Sequence, residues 1–441
     1  MRASLRPALL LPPLLLLAAC AHREAAPAQA ATAKAEPSAL DTCAERYVKL
    51  VLAVGEHDAN YVDAYYGPKA WAEEAKAAKV PLEVLGQRAR ELVQVLEAVP
   101  PPTEPLVAQR RRFLLGQVRS IEARVRLLQG EHLSFDAESE ALYGARAPAH
   151  PESEFLRVHA ELEQLLPGEG ALPVRIERFR QGFVVPKDKL EQVFQAAIDE
   201  ARRRTRAHLE LPEGEAVRLE LVQGKSWGGY NWYQGNAKSL VQVNTDLPIF
   251  ASRVLDVAAH ESYPGHHVYN VLLEQHLLRE RGWVEFSVYP LYCPQSLIAE
   301  GSANYGIDVA FPDKEAYLRD VLFPLAGLDP SKAAAYVRVE ALLSKLGYAE
   351  NEAARGLLDG RMTRAEAQDY LVRYRLASPE RAAKLLTSIE SLRSYIINYN
   401  LGRDLVAAWV ERQGGTAQAP ERRWQVFGEL LSAPLLPADL R

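Results

Sequence analysis

His260-Glu261-Ser262-Tyr263-Pro264-Gly265-His266-His267 is the stretch on which the reading of this 441-residue chain turns, because three of its ten histidines fall within eight positions beside a glutamate. Imidazoles and carboxylates at close spacing supply the ligands and the base of catalytic divalent-metal sites. Residues four apart on a helix lie about 40° apart around its axis, which is why His-Glu-x-x-His puts two imidazoles on one ion. Here the fourth position is Pro264. On an unbroken helix His266 would point about 120° away from His260, whereas His267 would return to the same face. Proline, however, disfavours the helical conformation in the residue before it and clashes with the preceding turn, so Pro264-Gly265 argues for a break. A two-residue bulge ending in glycine would carry His266 to the usual fourth position. Spacing alone leaves both histidines open as the second ligand.

Around this stretch the chain reads as mainly α with one small sheet. Upstream, Val217-Arg218-Leu219-Glu220-Leu221-Val222 and Ser239-Leu240-Val241-Gln242-Val243-Asn244-Thr245 alternate like strands, joined by the glycine- and aromatic-rich link Gly224–Gly235. Trp227, Tyr230, Trp232 and Tyr233 in that link are expected to pack rather than to touch a substrate. An edge strand ahead of a metal helix is also a place where an extended peptide can pair through its main chain. Pro248 suits the first turn of a helix running from Ile249 to about Ser262, which puts His260 near its C-terminal end. Val268, Val271, Leu272 and Gln275 restart the pattern and Gly282 ends it. A further helix from about Pro294 to Pro312 carries Glu300 and, one turn on, Asn304.

The flanking regions are helical as well. Leu114, Val118, Ile121, Val125 and Leu128 recur at steps of four and three and stop before Gly130, and another helix starts near Lys187 with Leu190, Phe194 and Ala197 on one side. The arginine runs 110–112 and 202–206 are expected to be solvated helix faces. Thr363-Arg364-Ala365-Glu366 is a capping box, and Ser378-Pro379 marks another helix start. No repeat of 20–50 residues indicates a solenoid. No sharp boundary divides residues 40–441, which read as a single catalytic domain. With 52 basic against 57 acidic residues the net charge is -5, and no overall positive field exists to hold nucleic acid.

At the N-terminus Arg2 and Arg6 precede the apolar run Ala8–Leu17, too short to span a bilayer comfortably and interrupted by Pro12-Pro13, and Leu17-Ala18-Ala19-Cys20 follows. This resembles a bacterial lipoprotein signal. The resemblance implies cleavage after residue 19, lipid on Cys20, a solvated tether over about 20–39, and, with Ala21 next, an outer-membrane anchor facing the periplasm. Export leaves Cys43 and Cys293 in an oxidising compartment, where they could form one disulfide or remain two buried thiols.

The eight-residue stretch, followed 33 residues after Pro264-Gly265-His266-His267 by Glu300-Gly301-Ser302-Ala303-Asn304-Tyr305, resembles the bacterial family called domain of unknown function 885, itself similar to gluzincin zinc peptidases. The likeness extends over Tyr230–Pro248 and more loosely to Tyr399-Asn400-Leu401-Gly402. It implies a helical gluzincin-like fold and one Zn2+ held by His260, His266 and Glu300, favouring His266 over His267. It further implies a peptide substrate, with Glu261 as general base for a metal-activated water. Asn304 is placed to orient a ligand histidine, and Tyr399, ahead of Tyr305 and His267, to donate to the developing oxyanion. Arg403 is weighed as a partner for a substrate carboxylate against an ordinary ion pair. The sequence gives no oligomeric state.

Overall fold

The helical period written into residues 114–125 is realised in a helix spanning Pro105–Leu128, on which Leu114, Val118, Ile121 and Val125 are fully buried. The computed structural model describes Ser38–Arg441 apart from Ser226. The apolar leader, Cys20 and the tether lie outside the described residues. These described residues form one compact, mainly helical unit with a small sheet. The expected capping box at Thr363 closes on Glu366, and Ser378 caps the helix that begins at Pro379. Among the described residues no helix is long and apolar enough to cross a membrane.

Five strands are described: β1 (Val62–Tyr65), β2 (Ala216–Val222), β3 (Gly229–Tyr233), β4 (Lys238–Asn244) and β5 (Val288–Pro290). β2 and β4 realise the two alternating segments and pair in parallel from Ala216 opposite Lys238 to Val222 opposite Asn244. The aromatic link between them forms β3, antiparallel to β4 and on the sheet edge. Tyr233 is buried while Trp232 is half exposed, so the aromatic residues divide by strand alternation. β1 and β5 form a separate antiparallel pair that draws the N-terminal segment toward the middle of the chain.

Two glycines set how the helices over the site pack. The Pro294–Ala310 and Ile397–Arg412 helices meet at Gly301 and Gly402, where a Cβ on Gly301 would fall 2.4 Å from the Gly402 carbonyl carbon. A Cβ on Gly402 would fall 2.6 Å from Leu297 O. Only backbone against backbone fits this crossing, and it fixes Glu300 beside the start of the second helix.

The arginine runs are solvated only in part: Arg112 and Arg203 are exposed as expected, while other members are drawn to carboxylates. Arg110 is 3% exposed and closes on Glu285 at 2.6 Å and Asp41 at 2.7 Å. Arg202 and Arg206 converge on the buried Glu215, and Arg204 pairs with Glu200 and Asp313. Helix periodicity places an arginine on a face but does not reveal carboxylates brought from elsewhere in the chain. Cys43 and Cys293 are both free, buried thiols, so the disulfide alternative does not hold.

Candidate metal centre

The helix that delivers His260 changes pitch just before it does so. Ala251–Asp256 is α-helical, but Val257–Ser262 continues as a π-helix with every residue buried. The wider turn inserts an extra residue into the helix. Tyr263 then leaves in an extended conformation, and the Gly265 N–H donates to Ala259 O at 2.9 Å. A Cβ on Gly265 would lie 1.9 Å from His260 O, so glycine is required for this close return of the chain. A new helix, His266–Leu273, begins with His266 at its first position.

This return brings His266 to His260. Their Nε2 atoms are 3.1 Å apart, and Glu300 Oε2 lies 3.3 Å from His260 Nε2 and 3.6 Å from His266 Nε2. Metal–ligand bonds of about 2.0–2.1 Å in a tetrahedral site separate ligand atoms by about 3.3–3.4 Å, so the three spacings fit one zinc-sized ion with a fourth position free. Glu300 Oε2 is buried and accepts no hydrogen bond, while Oε1 accepts from the Tyr395 hydroxyl at 2.7 Å. The donor set thus has one carboxylate oxygen reserved for the cluster.

Asn304 fixes which nitrogen of His260 is available. Its amide nitrogen donates to Tyr399 O at 2.8 Å, which leaves Oδ1 as acceptor 3.0 Å from His260 Nδ1. His260 must therefore carry its proton on Nδ1, and Nε2 turns its lone pair toward the cluster. Burial works against a charge on His266, but Glu300, with Glu261 and Asp63 beyond it, pushes the pKa up to about 9. Burial raises the Glu300 carboxyl, and the two imidazoles more than reverse that, holding it well below the usual carboxylate range. The pocket is built to hold positive charge.

His267 takes no part in this cluster. It is fully buried, with Nδ1 2.9 Å from Ser239 Oγ and Nε2 3.1 Å from Glu215 Oε2. Glu215 also accepts from the Tyr263 hydroxyl at 2.6 Å. From Ser239 the network continues through Asn231, whose side-chain amide donates to Glu261 O at 2.6 Å. The histidine next to the candidate ligand thus supports the loop from behind.

Glu261 is 6% exposed, and its Oε1 would lie 3.1 Å from a Cβ on Gly229. Tyr399 is 40% exposed and packs edge-on to Tyr395, with its hydroxyl in electrostatic reach of Glu300, Glu261 and Arg253. Tyr305 is turned away: its hydroxyl accepts from Arg423 Nε at 2.9 Å. Arg403 closes on Asp308 at 2.6 Å, which is the ion-pair alternative.

Three residues near the cluster escaped sequence reasoning. Tyr395 stands one turn before Tyr399, a spacing that offers a signal only once the partner helix is known. Asp63, on β1, bonds the Tyr230 hydroxyl at 3.1 Å; burial, partly offset by Tyr230, pushes its carboxyl up to about 6. Arg253 lies under the glycines that lead into β3. Neither of the latter two carries a local motif.

No family model matches the sequence, and no curated protein matches it. Among solved structures, a candidate lipoprotein from Colwellia psychrerythraea is similar with a TM-score of 0.50 at 15% identity, over 84% of this chain and 71% of that one. The likeness is one of fold. A candidate lipoprotein of unknown function from Shewanella oneidensis has a TM-score of 0.47 at 12% identity, over 84% and 74% of the two chains. A Pyrococcus furiosus carboxypeptidase has a TM-score of 0.46 at 12% identity, over 89% and 90%.

Proposed function

We propose that this chain is a zinc-dependent peptidase of the gluzincin type, lipid-anchored in the bacterial cell envelope. The observation that carries the reading is the spacing of His260 Nε2, His266 Nε2 and Glu300 Oε2, which suits one tetrahedral ion, with Glu261 adjoining a ligand. A bound zinc lowers the pKa of water and polarises a carbonyl. Glu261 takes a proton from the attacking water and delivers it to the departing amine. Tyr399 has no hydrogen-bond partner for its hydroxyl among the described residues, and donates it to the carbonyl oxygen as charge gathers there. Asn304 holds His260 in the tautomer that ligation needs.

Residues 40–441 make the catalytic unit, and the Leu17-Ala18-Ala19-Cys20 leader anchors it at the outer membrane facing the periplasm. The fold shared with the Colwellia lipoprotein supports an envelope location and does not bear on which membrane. The test is Glu261→Gln. The variant should bind one zinc per chain and lose peptide hydrolysis by about 10²–10⁴-fold, the usual contribution of a general base. Undiminished hydrolysis refutes the mechanism, and hydrolysis absent from the zinc-loaded wild type leaves a metal-binding lipoprotein.

A further inference from the structure

The chain's arginines near the centre are mostly spent on carboxylates: Arg202 and Arg206 on Glu215, Arg204 on Asp313, Arg403 on Asp308. Arg253 is not. It sits on the Ala251–Asp256 helix, two turns before His260, and is only partly buried. Its Nη2 lies 2.5 Å from the position a Cβ would take on Gly229, and Glu261 Oε1 lies 3.1 Å from that same position. A Cβ on Gly228 would be 3.7 Å from the same nitrogen. The two glycines therefore make the room that the guanidinium occupies at the entrance to β3.

Guanidinium and carboxylate stand close on the two sides of Gly229, yet no ion pair closes between them within 4.0 Å. Among the described residues no side chain accepts a hydrogen bond from Arg253, and no aromatic ring lies under it. Its charge is felt at the Tyr399 hydroxyl and at the Asp256 carboxyl, neither of which it bonds. A planar, permanently charged fork is thus held beside the proposed general base with its donors unused, an arrangement suited to a bidentate carboxylate.

We propose that Arg253 receives the terminal carboxylate of a peptide, so that the site removes residues from the C-terminus of peptide free acids. The inference rests on the peptidase reading above. In a peptide acid the terminal carboxylate is two bonds from the last amide nitrogen, roughly 3.5–4 Å from the scissile carbonyl carbon. A guanidinium next to Glu261 is at the right remove to hold one while Glu261 serves the other. Water adds its oxygen to the carbonyl carbon, the C–N bond breaks, and a proton passes to the amine. The products are a shortened peptide acid and one amino acid.

The experiment uses the zinc-loaded protein with N-acetylated hexapeptides of mixed sequence, made as free acids and as C-terminal amides, and follows products by mass spectrometry. Acids should shorten stepwise from the C-terminus, and amidation should lower kcat/KM about 10- to 100-fold, as loss of a charge-assisted pair does. Arg253→Gln should cost a similar factor on acids, chiefly in KM, with a much smaller loss on amides and with zinc content retained. Arg253→Lys should recover part of the loss. Equal effects of Arg253→Gln on acids and amides, or internal cleavage indifferent to amidation, overturn the anchor and leave the peptidase standing. No hydrolysis of either series by the zinc-loaded wild type overturns both.

Discussion

Gly301→Ala tests the crossing that carries Glu300 to the histidines. The added Cβ would fall 2.4 Å from both C and O of Gly402, whereas carbon atoms rest comfortably at about 3.5–4.0 Å. Both obstructing atoms are backbone within helices, so relief requires the helices to part by about 1 Å at the crossing. Overpacking of this kind costs about 1–3 kcal/mol, and with no side chain free to yield the upper end applies. Alanine returns about 1 kcal/mol of helix propensity, leaving a net cost of about 2 kcal/mol. With an unfolding entropy near 2.1 cal/mol/K per residue, a unit of this size should lose about 2–3 °C in Tm.

The local effect is the sharper signal, because Glu300 adjoins the wedge while His260 and His266 sit on other elements. Zinc affinity, measured by competition with a chromophoric chelator, should fall about 10-fold or more, the range seen when ligand support is disturbed. Gly306→Ala on the same helix is the graded control. Its Cβ would meet Pro264 side-chain carbons at 3.3 and 3.5 Å, a contact that small adjustments relieve. A Gly301→Ala protein with wild-type Tm and zinc affinity, or one no worse than Gly306→Ala, would refute the argument that this crossing sets the ligand.

Two further outcomes follow from the surroundings of the cluster. Asn304→Ala removes the acceptor for His260 Nδ1 and should weaken zinc about 10- to 100-fold while sparing the fold, as read by zinc titration beside circular dichroism. Burial raises the Glu215 carboxyl, but its bonds to His267, Tyr263 and Arg202 lower it to about 2 in the folded protein. A depressed carboxyl stabilises above its unfolded pKa, and that contribution is lost as pH falls from about 4.5 toward 2. The displacement is worth roughly 3 kcal/mol, so Glu215→Gln should flatten the acid limb of a stability–pH curve, and an unchanged limb would count against the network.

Much of this was legible locally. The apolar period of residues 114–125, the Thr363 capping box and the proline start at Pro294 each depend on neighbours within a few turns, and each is present as read. A metal site was readable because a histidine beside glutamate, a Pro-Gly break and a second glutamate are distinctive in themselves, but His266 was preferred to His267 on the family resemblance, since the spacing of an unbroken helix favoured His267. The π-helix at Val257–Ser262 was not, since a fully buried segment shows no phase by which pitch could be told. Asp63 depends on β1 pairing with β5 across more than two hundred residues. Arg110 looked solvated because Glu285 lies far along the chain, and β3 was hidden in a glycine- and aromatic-rich link read only as the connection between two strands. Whatever required knowing which distant elements touch was out of reach of periodicity.

The central claim is that His260, His266 and Glu300 share one ion while His267 only supports the loop. Zinc stoichiometry of the purified chain, with His266→Ala and His267→Gln measured beside it, tests this directly. The account predicts about one zinc per wild-type chain, little or none for His266→Ala, and near-full occupancy for His267→Gln, as expected when one of three ligands or none is removed. Zinc retained in His266→Ala but lost in His267→Gln would contradict it.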